Sequence, residues 1–366
     1  MENDFLLSSY DYYLPEENIA QTPAADRDQS RLLVMDCNKE GLGHRHFTDI
    51  IEYFRPGDVL VINNTKVFPA RLLGHKETGG KVEILLLHYP EILLAHETAG
   101  GWYNVEALAL LKSSKRPKPG SRLIFGEYLE ATVHELFDNG QVRLELSCNL
   151  TDDRNLDDLF TRYGQMPLPP YIKRPQGTTE EDMERYQTRY ADQTGSVAAP
   201  TAGLHFSDTL LKELRGKGVE IANVTLHVGY GTFAPVRTED IRSHRIHAEY
   251  IQIAPETAIS INEYKKYGSR IWAVGTTTAR TLEFAADEHG AIRPYQGLCD
   301  LYIYPGYQFK VVDNLITNFH LPRSSLLFLV AALSGRKKIL DCYREAVGRG
   351  YRFYSYGDAM AIITRK

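Results

Sequence analysis

Between residues 69 and 150 the chain is cut into short apolar runs at strand spacing, at 82–88, 102–111, 121–125, 131–136 and 142–146. Turn residues separate them: Gly79-Gly80, Ala99-Gly100-Gly101, Pro119-Gly120 and Asp138-Asn139-Gly140. The last is a hairpin signal, because Asn-Gly accepts positive φ at both central positions. No helical period runs through the stretch. Strands this short bury an apolar face by closing on one another, which predicts a small antiparallel barrel or sandwich. An all-β module at 69–150 also splits the rest of the chain. Residues 1–68 and 151–366 are then expected to form one discontinuous domain.

The flanking pieces have a different texture. Residues 32–35 read as a strand, 47–54 as a short amphipathic helix with Thr48 as a possible cap, and 59–62 as a strand after the turn Gly57-Asp58. Past residue 151, helices are expected at 153–163 and 179–191, joined by the stiff, extended P-L-P-P-Y-I-K-R-P. An alternation follows: helix 208–216 capped by Ser207, strand 219–228, helix 256–267, strand 270–274, helix 277–288 and strand 298–304. Helices at 325–333 and 337–348 and a last strand at 351–356 complete it. Such alternation predicts the α/β class: a mixed α/β catalytic domain interrupted by an inserted small antiparallel β-barrel.

Composition narrows the function. The net charge of the 366 residues is −5, so any nucleic-acid contact needs a local basic patch. Residues 336–366 hold eight Lys/Arg against three acids, and Lys112, Lys115, Arg116 and Lys118 form a second cluster. Each is either an RNA-facing patch, with Tyr302, Tyr304 and Tyr307 able to stack on bases, or an ordinary solvated face over core tyrosines. Arg27, Asp28 and Arg31 are either a solvated turn or the brace of a pocket. Cys37, Cys148, Cys299 and Cys342 are far apart with no C-x-x-C pair, which argues against zinc or a disulfide framework and fits a reducing cytosol. The start M-E-N-D-F has no signal-peptide core, and the longest apolar run, 326–333, is too short for a bilayer. A cytoplasmic protein without a membrane partner is expected.

The polar, glycine-bearing signals fall in loops after strands, where open α/β sheets gather ligands. The stretch 195–206, G-S-V-A-A-P-T-A-G-L-H-F, is crowded with small residues and ends at a helix start, so it is either a ligand cradle or a tight structural connection. The others are T-L-H-V-G-Y-G-T-F-A-P-V at 225–236, G-T-T-T-A-R at 275–280, and Y-P-G-Y-Q-F-K at 304–310 followed by T-N-F-H-L-P at 317–322. Residues 229–234 match G-x-G-x-x-A, but Pro235 follows and no helix opens to hold a pyrophosphate, which excludes a Rossmann site. Thr276 and Thr277 either cap a helix or meet a ligand. His205, His227, His244, His247 and His320 lie in or near these loops. The spacing H-R-I-H at 244–247 does not place two ligands on one helix face, so no metal site is expected.

Taken in order, D-Y-Y-L-P-E-E-N-I-A-Q-T-P, R-D-Q-S-R-L-L-V, G-D-V-L-V-I-N-N-T-K-V-F-P-A-R-L, S-V-A-A-P-T-A-G-L-H-F, T-L-H-V-G-Y-G-T-F-A-P-V, Y-P-G-Y-Q-F-K-V-V-D-N-L-I-T-N-F-H-L-P-R-S-S-L-L and Y-R-F-Y-S-Y-G-D-A-M resemble the S-adenosylmethionine:tRNA ribosyltransferase-isomerase family of queuosine biosynthesis. The chain departs from the family's H-x-M-H-x-E at Ile246 and carries Cys299 where Thr is common. The resemblance implies an α/β catalytic domain interrupted by a β-barrel. It also implies that the ribosyl part of S-adenosylmethionine moves onto the aminomethyl group of 7-aminomethyl-7-deazaguanine in the tRNA anticodon. Isomerisation gives epoxyqueuosine-tRNA, adenine and methionine. S-adenosylmethionine is then consumed as a substrate, with no separate cofactor, by a protein expected to be a monomer.

That chemistry needs a base for the 5′ proton made acidic by the sulfonium, and an acid for the departing adenine. His205 and His320 are the leading acid–base candidates, with His227 third. Thr201, Gly203, Gly229, Gly231, Thr276 and Thr277 are the candidates for holding the nucleoside. Tyr307, Asn318, Arg352, Tyr356 and Asp358 are the candidates for positioning methionine or the incoming base. The competing functions are an S-adenosylmethionine-dependent tRNA methyltransferase, which would release S-adenosylhomocysteine, and a non-catalytic tRNA-binding protein.

Overall fold

The structure, a computed structural model, describes residues 2–91, 96–151, 154–233 and 235–365. Asp153, Ala234 and Lys366, on which three of the expectations touch, lie outside the described residues. A mixed sheet of nine strands organises the larger part. Its centre is four parallel strands, Glu220–Leu226, Val59–Asn63, Ile271–Val274 and Asn314–Asn318. Ala359–Ile363 joins antiparallel to the last of these and carries Arg31–Asp36 parallel beside it.

These strands read as continuous apolar runs because both faces are covered. Val59, Val61, Ile271, Ala273, Leu315, Met360 and Ile362 pack under the helices Pro255–Lys266, Thr276–Ala285, Ser325–Ser334 and Arg336–Gly348. Leu60, Ile62, Trp272, Val274, Ile316, Ala359 and Ala361 face the other way. They meet the helix Asp208–Gly216 and the 3-10 segment Phe47–Tyr53. Ser207 caps that helix by accepting from Leu210 N at 3.1 Å.

The inserted strands close into an antiparallel barrel. Arg71–Lys76, Lys81–Leu86, Trp102–Ser113, Gln141–Asn149, Leu129–Leu136 and Arg122–Gly126 pair in that cyclic order. Gly74 makes the closure possible. A Cβ there would stand 2.2 Å from the Ile124 carbonyl oxygen, where the strand Arg71–Lys76 passes from one partner to the next.

Several local expectations are corrected. In the 138–140 turn only Gly140 has positive φ (87°); Asn139 instead accepts from Gln141 N through Oδ1, so the loop is not the two-residue mirror-image type. Segment 47–53 is 3-10, capped by His46 and Asp49 rather than Thr48. The helix from Thr179 ends at Arg185, because Tyr186 is fully buried and the Gln187 side chain bridges Val67 N and O. The edge strand is Tyr295–Cys299; beyond it Arg280 takes the carbonyls of Cys299 and Leu301 and draws the chain off the sheet. Residues 351–356 form a turn, with Gly350 and Tyr354 at φ 64° and 70°, and the final strand is Ala359–Ile363. The strands Glu249–Ile253 and Asn314–Asn318 are not marked by the helix–strand alternation.

Gly74→Ala is expected to destabilise the protein by about 1–3 kcal/mol through overpacking at the barrel closure. A denaturation midpoint equal to that of the unsubstituted protein would contradict this account of the closure.

Candidate active site

At the carboxyl ends of the parallel strands the loops enclose a cavity of about 380 Å³. That is within the ~300–1,000 Å³ of small-molecule sites. Each wall comes from a different loop: Ala199–Ala202, Val228 with Thr232, Gly275–Thr277, the run after strand Asn314–Asn318, and Tyr354-Ser355. No carboxylate lines it among the described residues, and Arg323 at the edge is its one formally charged side chain. Arg323 is ion-paired with Asp11. Two non-glycine residues have positive φ among those described, Arg323 (57°) and Tyr354 (70°), and both line this cavity. Backbone strain of this kind persists where the surroundings enforce it, and it gathers at functional sites.

Thr201, Thr276, Thr277, Asn318 and His320 are brought together in the lining. Thr276 and Thr277 open a helix whose N-cap is Gly275 at φ 89°, so the first amides of that helix border the space. Thr277 Oγ1 and Asn318 Oδ1 are buried with no hydrogen-bond partner. Unpartnered buried polar atoms are costly, and both residues border the cavity. His320 is held by a 2.9 Å contact between Nε2 and Thr317 Oγ1, and its carbonyl accepts from Tyr12. Burial pushes its imidazole down to about 3. Tyr171 and Tyr354 add an aromatic wall, their ring centroids 4.6 Å apart.

His205 stands one hydrogen bond behind this lining. Asn318 Nδ2 contacts His205 Nε2 at 3.0 Å and also donates to the Tyr354 carbonyl at 3.0 Å. The amide nitrogen therefore faces His205, whose Nε2 must accept. The proton of the neutral ring sits on Nδ1, 2.7 Å from Ser30 Oγ. Burial, then Arg352 and Arg27, hold this imidazole down at about 3.

The other candidates lie elsewhere. His227 contacts Thr65 Oγ1 through Nδ1 at 2.8 Å and stacks on Tyr250; burial lowers it to about 4. Gly203 makes room for Tyr190, whose hydroxyl would be 2.1 Å from a Cβ. Gly229 N donates to Glu249 Oε1 at 2.8 Å, and Gly231 borders a neighbouring pocket that shares Thr232, Thr276 and Thr277 with the cavity. Tyr307 donates to Glu283, which also receives three backbone amides. Tyr356 donates to Asp182 at 3.2 Å. Asp358 accepts from the amides of Arg31 and Arg352, with Arg352 Nε 3.8 Å away. Glu249 closes the H-R-I-H-A-E stretch that resembles the family's H-x-M-H-x-E, but it is not among the sequence's site candidates. Its carboxylate, paired with Arg280, holds Gly229 and Thr232 in place. Tyr354 was hidden, because its left-handed backbone cannot be inferred from an aromatic-rich run.

Fold and cavity together define a mixed α/β protein with a small-molecule-sized site at the strand ends and an antiparallel barrel set into the chain. The family model described as "Queuosine biosynthesis protein" matches residues 7–362. An S-adenosylmethionine:tRNA ribosyltransferase-isomerase of Desulfotalea psychrophila is 53% identical over 365 residues, covering 100% of this chain and 99% of the relative. One of Nitratidesulfovibrio vulgaris is 50% identical, covering 98% of each. The crystal structure of an S-adenosylmethionine tRNA ribosyltransferase from Thermotoga maritima matches with TM-score 0.52 and 36% identity, over 97% of this chain and 100% of that one. The chain belongs to the S-adenosylmethionine:tRNA ribosyltransferase-isomerase family.

Depressed pKa values make a stability prediction. His205 and His320 have folded values below the ~6.5 of an unfolded histidine, so protonation favours unfolding. Their stabilities are intact above that pH. Below it, each is expected to cost about 1.4 kcal/mol per pH unit until the folded value is reached. NMR of labelled histidine should show both rings neutral from pH 8 to 5, with His205 protonated at Nδ1. Titration of either ring near 6.5 would contradict the burial argument.

Proposed function

We infer that this chain transfers and isomerises the ribosyl part of S-adenosylmethionine onto the aminomethyl group of 7-aminomethyl-7-deazaguanine in the tRNA anticodon. The products are epoxyqueuosine-tRNA, adenine and methionine. The observation that carries this into the molecule is the rim cavity, with a neutral imidazole and two unpartnered polar atoms in its wall.

His320 is the imidazole that lines the cavity, and we assign it the base role. Its low pKa does not oppose that role. Passing the 5′ proton from the sulfonium compound to His320 leaves a neutral ylide and an imidazolium, so the count of buried cations is unchanged. The desolvation that disfavours the imidazolium is offset by that relieved at sulfur. The imidazolium is then the acid at hand for a ring nitrogen of the departing adenine. Thr277 Oγ1 and Asn318 Oδ1 hold the nucleoside, and Tyr171 with Tyr354 offers a face for its base. His205 orients Asn318. A methyltransferase function has no support in the loop at 225–236, where Tyr230–Phe233 is a 3-10 turn and, among the described residues, no glycine-rich turn opens a helix.

S-adenosylmethionine is consumed without a further cofactor. No helix among the described residues is long and apolar enough to cross a membrane, and we place the reaction in the cytoplasm, where its two substrates meet. We take the protein to act as a monomer. We divide the chain into a catalytic domain, 1–68 with 151–366, and the barrel domain, 69–150.

In single turnover on tRNA carrying the 7-aminomethyl base, His320→Ala is expected to slow adenine release by about 10²–10⁴-fold. His205→Ala should cost up to about 10²-fold by letting Asn318 drift. Adenine and methionine should appear together; S-adenosylhomocysteine as co-product, or an unchanged rate in His320→Ala, would overturn this mechanism.

A further inference from the structure

On the far side of the His205–Asn318 hydrogen bond lies a pit that the reaction above does not use. It has about 20 Å³ of free space, and its lining includes Arg27, Ser30, Arg185, His205 and Ser355. Ser355 also lines the main cavity, so the two spaces adjoin. Arg27 donates to the carbonyls of Leu204 at 3.3 Å and Glu184 at 3.0 Å. Arg185 donates to those of Ala24 at 2.6 Å and Ala25 at 2.9 Å.

Neither guanidinium is in ion-pair contact with a carboxylate among the described residues, because the nearby acids are engaged elsewhere. Glu184 and Asp208 face Arg189 at 3.9 and 2.6 Å, Asp182 binds Arg174 at 2.8 Å, and Asp28 accepts from Ser207 at 2.5 Å. The basic C-terminal stretch is different. Arg336, Arg344, Arg349 and Arg365 each contact a carboxylate, which favours the solvated-face alternative there. Burial, then the like charges of Arg185 and Arg189, hold the Arg27 guanidinium down at about 10. Two half-buried cations held side by side by neutral carbonyls are a standing demand for an anion.

We propose that this pit grips one backbone phosphate of the RNA substrate beside the nucleotide presented to the cavity. Free space of this size admits about one water-sized group, enough for a phosphate oxygen and too little for a base or sugar. The His205–Asn318 contact stands between the pit and the cavity, and neither Arg27 nor Arg185 lines the cavity. The proposal rests on the tRNA function assigned above.

The test is binding of tRNA to the full-length protein as a function of salt, for Arg27→Gln, Arg185→Gln and the double variant. Each single change is expected to weaken binding about five- to tenfold at low salt and to lower the slope of log K against log salt by about one unit. Affinity for S-adenosylmethionine without RNA should stay within about twofold, as neither arginine lines the cavity. Arg27→Lys and Arg185→Lys keep the charge and should keep the slope. An unchanged slope in a folded double variant overturns the proposal. So does a slope lost in the lysine variants, or a loss confined to S-adenosylmethionine affinity. Inorganic phosphate is the control for a free-anion site: binding tighter than about 1 mM would also overturn the assignment to a polymer backbone. A protein that shows the expected salt response yet releases no adenine keeps the phosphate site and loses the proposed reaction.

Discussion

The side-chain amide of Asn318 is the joint on which the cavity depends. It ends a buried parallel strand and reaches two segments far away in sequence, the ring of His205 and the carbonyl of Tyr354. Ser30 fixes the other nitrogen of that ring. Four pieces of chain are thereby tied at one point, with the amide oxygen left unpaired at the cavity wall. Inside a protein such a network is stiff while satisfied, and a missing partner costs about 1–3 kcal/mol. Holding Asn318 in one orientation is what turns the ends of a sheet into a shaped site.

The charged groups nearby serve the same end without joining the chemistry. Glu249 with Arg280 pins the loop of Gly229 and Thr232, and Glu283 gathers the amides of residues 310–312. Both carboxylates are buried and fully occupied. Their effect is to keep loops still around a wall that carries no carboxylate among the described residues. A cationic substrate in such a cavity is not neutralised by an ion pair, and the strain of holding it charged favours giving up a proton.

Much of the architecture was legible because it is written in period and punctuation. Five apolar runs with glycine-bearing turns mark five of the six barrel strands, all but Arg71–Lys76, and Ser207 marks a helix start to the residue. The failures have physical causes. Asn314–Asn318 looks polar at both ends, yet Asn314 satisfies the amides of Thr364 and Arg365, and Asn318 belongs to the site. Residues 351–356 look like a strand because tyrosine and phenylalanine favour sheets, while the left-handed Tyr354 breaks the extension. Among the site candidates, loop threonines and His320 could be found by their place after strands. Tyr307, Tyr356 and Asp358 stood out as polar groups in loops, and each turns out to be bound to its own protein. Residue type shows a capacity for chemistry; only the fold shows whether that capacity is already used.

The central claim is that the rim cavity, and no other hollow of the molecule, holds the sulfonium nucleoside. A crystal structure of the protein with S-adenosylmethionine bound tests it most directly. The nucleoside should lie between Tyr354 and Thr277, with Thr277 Oγ1 and Asn318 Oδ1 newly hydrogen-bonded and the reacting 5′ carbon facing His320. Density for the nucleoside in another groove, with those two oxygens still unpartnered, would contradict the account.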